Sequence, residues 1–220
     1  MIHSTCTKVG ALCLILAAPL FLAANVIAGL AWEEPAYSWA VHNISDLGNV
    51  HCGTWDTTRP RAVCSPWHVF FNASFVLTAV LLAAGTVLTG RAGGRGAVVR
   101  TTQVLLLLAA GGYGLAAFPA DVNENNHFLG ALLIMGVGNV GMLIACLAPR
   151  ATPLGRIRPL TVVLAVTAAA GTTLFFSQQG LGIGVGGMER VAVFPLLIWA
   201  TCLGTRIVTA PGDDPSTVPA

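Results

Sequence analysis

The sequence predicts an all-α fold: a polytopic membrane protein built as a six-transmembrane-helix bundle with a long first extracytoplasmic loop. Three observations carry this reading. Apolar residues fill 55% of the 220 positions and charged residues only 9%, where soluble domains carry about 25% charge. The mean hydropathy is +0.77. The apolar residues also fall into six runs, each near the roughly 20 helical residues that cross a hydrocarbon core. A net charge of +2 is too weak for a nucleic-acid binder.

The runs lie at about 9–31, 66–89, 101–120, 128–148, 159–177 and 191–209. They belong to one domain over 1–210, followed by a Pro-, Gly- and Asp-containing tail at 211–220 that reads as disordered. Helices are the only sensible reading. Continuous apolar runs lack the alternation of a membrane barrel, and lipid offers no partner to unpaired backbone groups. The first run follows Lys8 and looks like a secretory signal. It is longer than the usual signal core of roughly 7–15 residues, so it reads as a retained helix. Gly111, Gly112 and Gly114 in the third run, and Gly136, Gly138 and Gly141 in the fourth, read as helix-packing seams. Gly136–Gly141 and Gly182–Gly187 both spell G-x-G-x-x-G. Neither follows a strand in a βαβ unit, so no nucleotide cofactor is expected.

Basic residues set the orientation. With both termini on one side, that side holds Lys8, Arg91, Arg95, Arg100, Arg150, Arg156, Arg158 and Arg206, and the other holds Arg59, Arg61 and Arg190. This predicts a multi-pass protein of the cell membrane with both termini cytoplasmic. The acids Glu33, Glu34, Asp46, Asp56, Asp121, Glu124 and Glu189 fall on the opposite, outer side. The inner connectors at 91–100 and 149–159 read as topogenic segments that meet anionic headgroups.

The outer side also gathers the chemistry-bearing residues. The first outer loop, about 32–65, brings tryptophans, among them Trp32 and Trp39, to the membrane boundary. Cys52 and Cys64 stand twelve positions apart in it. On an oxidising side they predict a disulfide, worth about 3 kcal/mol on the chain-entropy account, with a redox pair or metal ligands as the alternatives. Ser65, His68 and Asn72 share one face at the start of the second run. Asp121, Glu124 and His127 fill the next outer turn, and Glu189–Arg190 opens the sixth run. Asn43, Ser45 and Asp46 can converge on the same mouth, and Asn43, Ser45, Asn72, Glu189 and Arg190 are its expected binding residues.

Two chemistries fit this set. Zinc held by His68, Asp121 and His127 would activate a water for hydrolysis of a lipid ester or amide. Alternatively Ser65 is a nucleophile served by a histidine, with Asp46 assisting. No H-E-x-x-H or G-x-S-x-G string supports either. The competing structural reading has both histidines hydrogen-bonded to neighbouring loops, and Asp46 or Asp121 capping helices.

Several strings recur in a recognisable order: Asn43–Gly48 (Asn-Ile-Ser-Asp-Leu-Gly), Ser65–Pro66 with Asn72, Gly114, Phe118–Asp121, His127 and Gly186–Arg190. In these, over about residues 10–208, the chain resembles the bacterial and archaeal six-span family called domain of unknown function 998. The resemblance implies six helices and an outer polar cluster at those positions, and no particular activity. The first outer loop, with Cys52 and Cys64, is longer than the family pattern. The outer Ser, Asp and His set is also similar to that of alkaline ceramidases, whose seven spans and HxxxH pair are not matched here.

The expected function is therefore that of a membrane protein whose outer pocket binds a membrane lipid or a partner. A metal-assisted lipid hydrolase is the alternative. A small-solute transporter ranks below both, because the runs hold few polar residues beyond Asn25, Gln103 and Asn139. A thiol oxidoreductase acting through Cys52 and Cys64 comes last.

Overall fold

The structure is a computed structural model that describes residues 5–56 and 58–209; the tail expected at 211–220 lies outside the described residues. Six helices among these residues are long and apolar enough to cross a membrane. They are α1 (Thr5–Leu30), α2 (His68–Thr89), α3 (Ala97–Ala116), α4 (Glu124–Ala145), α5 (Arg158–Phe176) and α6 (Gly184–Val208). Each packs on the next, and α6 returns against α1 to close a ring. The chain is an all-α bundle with the character of a multi-pass membrane protein.

Helix packing follows from small residues, because lipid supplies no hydrophobic drive between helices. A Cβ at Gly130 of α4 would stand 2.5 Å from the Ala116 nitrogen and 2.6 Å from the Gly112 carbonyl oxygen of α3. Only hydrogen fits there. Gly112, Gly138 and Gly141 face other helices in this way, while Gly111 and Gly136 have nothing within 4 Å of that position. Aromatic rings fill the bundle toward the 31–67 loop. Phe21 meets Phe75 edge-on at 4.9 Å and Tyr113 at 5.5 Å.

Two helices depart from the expected runs. α4 carries one π-helical turn at Leu133–Gly138, a local widening that often marks functional regions. Just beyond it, Asn139 Nδ2 donates to Thr172 Oγ1 of α5 at 2.9 Å and to the Ala192 carbonyl of α6 at 3.1 Å. α6 begins at Gly184, well before the expected 191, so Glu189 and Arg190 sit in its second turn and do not open it. The glycines there diluted the apolar signal, yet tertiary contact requires them. A Cβ at Gly186 would stand 2.2 Å from the His42 carbonyl oxygen. The Gly186 N–H, one of the helix's unpaired first donors, is accepted by the Ala40 carbonyl at 3.0 Å.

The 31–67 loop lies across one end of the bundle, here called the loop end. Within it, β1 (Gly53–Trp55) and β2 (Arg61–Val63) form an antiparallel hairpin in which Gly53 pairs with Val63. Cys52 and Cys64 fall one step beyond that pair and form the expected disulfide, with Cα atoms 4.2 Å apart. Trp32 is buried and packs on Tyr37 and His42.

Substituting Gly130→Ala will lower stability by roughly 1–3 kcal/mol, since backbone is what the new methyl meets. Gly111→Ala will be neutral or mildly stabilising, as alanine is the better helix former. Thermal unfolding of the two purified variants in detergent tests this, and equal behaviour would contradict the packing account.

Candidate functional site

The polar residues of the loop end converge on one stretch of backbone, residues 42–51. A loop lying on helix ends carries N–H and C=O groups that need partners where water is scarce. Glu189 Oε2 accepts the Ile44 N–H. Arg190 Nη1 donates to the carbonyls of Trp39 at 3.2 Å and His42 at 3.0 Å. From the start of α2, Ser65 Oγ donates to the Leu47 carbonyl at 2.7 Å and Asn72 Nδ2 to the Gly48 carbonyl at 2.8 Å. From the α3–α4 turn, Asp121 Oδ2 accepts the N–H groups of Val50 at 2.9 Å and His51 at 2.7 Å. The Tyr37 hydroxyl donates to the Asn43 carbonyl at 3.0 Å and accepts from Arg190. Burial holds that hydroxyl far above its ordinary pKa, with Arg190 opposing, so it remains a donor.

Inside this stretch sits a buried ion pair. Asp46 receives Arg61 through both oxygens, from Nε and Nη2 at 2.6 Å each, and also accepts the Asn43 N–H at 2.8 Å. The side chains are 3% and 0% exposed for Arg61 and Asp46. Arg61 Nη1 reaches Asp56 at 3.0 Å. Burial alone would lower the Arg61 pKa; the Asp46 carboxylate outweighs it and raises the value. Because Arg61 belongs to β2, the pair fixes the hairpin to the 43–48 turn.

The histidines serve backbone groups in different places. His42 is buried; its Nδ1 accepts the Ser38 N–H at 2.9 Å, so its Nε2–H donates to the Ala62 carbonyl at 2.9 Å. His68 Nδ1 meets the Ser65 carbonyl at 3.0 Å, and His127 Nδ1 the Phe118 carbonyl at 2.8 Å. Asp121 is taken up by loop amides and the His51 ring, 2.9 Å away. Thus His68, Asp121 and His127 do not assemble as a zinc centre: among the described residues no three His, Cys, Asp or Glu side chains could hold a metal ion. The Ser65 hydroxyl is buried and donates to Leu47, while His68 engages the Ser65 carbonyl and not its Oγ.

Beside the clamped loop lies a cavity of about 760 Å³ between the hairpin, the start of α4 and the end of α5. Its rim is polar, with Asn43, Thr54, Asp56, Glu124 and Gln178; its wall is apolar, with Met135, Phe128, Phe175 and Phe176. Phe128 is 52% exposed and meets Phe176 edge-on at 6.3 Å. Ser45, His127 and Glu189 line the deep end, which these residues share with a narrow pocket of about 20 Å³, room for a single water. Glu189 is buried and forms no salt bridge among the described residues.

Sequence reasoning found Asn43, Ser45 and Glu189 but missed Arg61, Tyr37 and the aromatic wall. The Phe175–Phe176 pair followed by Gln178 was an available signal, since it marks an apolar-to-polar boundary at a helix end.

Asp46→Ala will cost about 3–5 kcal/mol, because it removes the two-oxygen partner of a buried guanidinium and leaves it, among the described residues, only the Asp56 carboxylate. Adding Arg61→Met will recover part of the loss; thermal unfolding that shows simple additivity would refute the pairing. A second prediction concerns pH. Burial pushes the Asp121 carboxyl up, but the His51 and Val50 amides and the His51 ring outweigh it and hold it below 3.8. A depressed value means the attachment is complete above the ordinary carboxylate pKa and is lost as pH falls through the folded one. Hydrogen exchange at Val50 and His51, corrected for intrinsic rates, will therefore be slow at neutral pH and accelerate as pH falls below the ordinary carboxylate range. Asp121→Ala will abolish the protection at all pH values.

Comparison with curated proteins gives no match, and comparison with solved structures gives none. Residues 15–206 match the family described as "Protein of unknown function (DUF998)". The match spans all six helices from within α1 to near the end of α6, and the chain belongs to that family.

Proposed function

We propose that the cleft at the loop end binds an amphipathic molecule of the surrounding membrane, a lipid. The observation that carries this reading is the two-sided lining of one cavity: polar groups on the rim, aromatic and apolar groups on the wall. Pockets for small molecules combine an apolar lining with a few placed polar groups in this way. The head of the lipid lies between the hairpin and Gln178, and its chain runs along Phe128 and Phe176. Carboxylates accept hydrogen bonds and cannot donate them. Asp56, Glu124 and Glu189 therefore favour a head rich in hydroxyl or amine donors.

In this reading the loop end is extracytoplasmic and both termini are cytoplasmic in the cell membrane. Eight basic residues at the other end support that orientation, as does a disulfide, which persists in an oxidising compartment. Asn43, Ser45 and Glu189 act as binding residues at the cleft, while Asn72 and Arg190 hold the loop that forms its edge.

Native mass spectrometry after detergent exchange tests the proposal, with phosphatidylethanolamine as the probe. Ala131→Trp, which fills the cleft, will reduce retention about tenfold. Phe128→Ala, at the exposed mouth, will reduce it less while leaving the fold intact. Equal retention by the wild-type chain and both variants would overturn the reading.

A further inference from the structure

A second cavity lies at the opposite end of the bundle. The helical turn Pro153–Arg156, the first turn of α5 and the last turn of α6 border an open groove of about 520 Å³. Arg150, Arg156, Arg158 and Arg206 line it, together with Gly155 and Pro159. Every acidic residue among those described belongs to the loop end, so among the described residues no carboxylate faces these four guanidiniums. None of the four forms an ion pair among the described residues.

Four like charges around one cavity repel each other, the more so at a lipid boundary where the effective dielectric is low. An anion relieves this, and guanidinium forks match phosphate oxygens in both charge and geometry. Arg158 Nη2 bonds the Ala148 carbonyl, and its Nε is buried with no acceptor among the described residues. The source of the phosphate follows from the neighbouring surface. Pro159, Val163 and Val166 share one face of α5 by their i, i+4, i+7 spacing. Val163 is 61% exposed and Val166 57%, so an apolar track leads from the cavity into the membrane. Free phosphate would have no use for it.

We infer that this cavity is a binding site for an anionic phospholipid, whose headgroup phosphate is held by Arg150, Arg156, Arg158 and Arg206. Basic pockets between helices at a membrane boundary suit such headgroups. The site is separate from the loop-end cleft and does not depend on its function.

The full chain in detergent, titrated with phosphatidylglycerol or phosphatidylcholine and read by native mass spectrometry, provides the test. Phosphatidylglycerol will bind about tenfold more tightly. Arg150→Gln with Arg206→Gln will remove that preference without changing the unfolding temperature. Arg91→Gln with Arg95→Gln, at the same end but outside the cavity, will keep it, as will the cleft-filling Ala131→Trp. Equal binding of the two lipids overturns the site, as does a preference indifferent to the Arg150 and Arg206 pair. Displacement of the lipid by an equal concentration of inorganic phosphate would overturn its assignment to a phospholipid.

Discussion

Backbone groups at a membrane boundary must find partners that water no longer supplies, and the 42–51 segment of this chain is where that demand is greatest. An unpaired N–H or C=O in an apolar setting costs several kcal/mol. One 3-10 turn at Ser45–Gly48 gives the segment a few bonds of its own, from the Leu47 N–H to Ile44 and the Asn49 N–H to Asp46. Further bonds come from Ser65 just before α2, Asn72 on α2, Asp121 on the α3–α4 turn, and Glu189 and Arg190 on α6. Five side chains separated by as much as half the sequence are tied to one task. The strings that carry the family resemblance, Asn43–Gly48, Ser65–Asn72, Phe118–Asp121 and Gly186–Arg190, are the strings that make these bonds. Gly186 belongs with them because the loop backbone comes too close for any side chain.

The Asp46–Arg61 pair has a different physical role. Removing two charges from water is expensive, and their mutual attraction repays it only when every remaining donor and acceptor is satisfied. Here both Asp46 oxygens take Arg61, one also takes the Asn43 N–H, and the spare Arg61 nitrogen reaches Asp56. The result is geometric more than energetic. The hairpin is held to the turn by the ion pair, and its own two strands are held together by the disulfide at its base. The hairpin forms one wall of the cleft, so these bonds fix the shape of the cavity.

Much of this was legible from sequence, for reasons that differ by feature. The spans were legible because lipid imposes a length and a composition, and the disulfide because two cysteines shared the outer loop. The membership of the polar cluster was legible because polar residues at one bundle end have few places to go. The partners inside the cluster were not. A sequence shows which side chains are near a boundary but says nothing of backbone groups, and here the backbone of residues 42–51 took most of the hydrogen bonds. His68, Asp121 and His127 therefore read as ligands for a metal while each attends to a carbonyl or amide of a different turn. The early start of α6 was hidden for a related reason. Glycine is a poor helix former alone, and only the tertiary contact with Ala40 and His42 explains Gly184–Gly187 as helix.

Once the loop is satisfied, the polar groups left over define the chemistry of the cleft. Ser65 and Asn72 donate to backbone and Asp121 accepts from it, while Arg61, which also lines the cavity, is held by Asp46 and Asp56. What still lines the cavity is a set weighted toward acceptors: Asp56, Glu124, the Gln178 and Asn43 amides, and Glu189 at the deep end. At the other end of the bundle the weighting is reversed, with four arginines and, among the described residues, no acid lining the groove. The two cavities thus differ in charge, following the uneven distribution of acidic and basic residues between the two ends of the bundle.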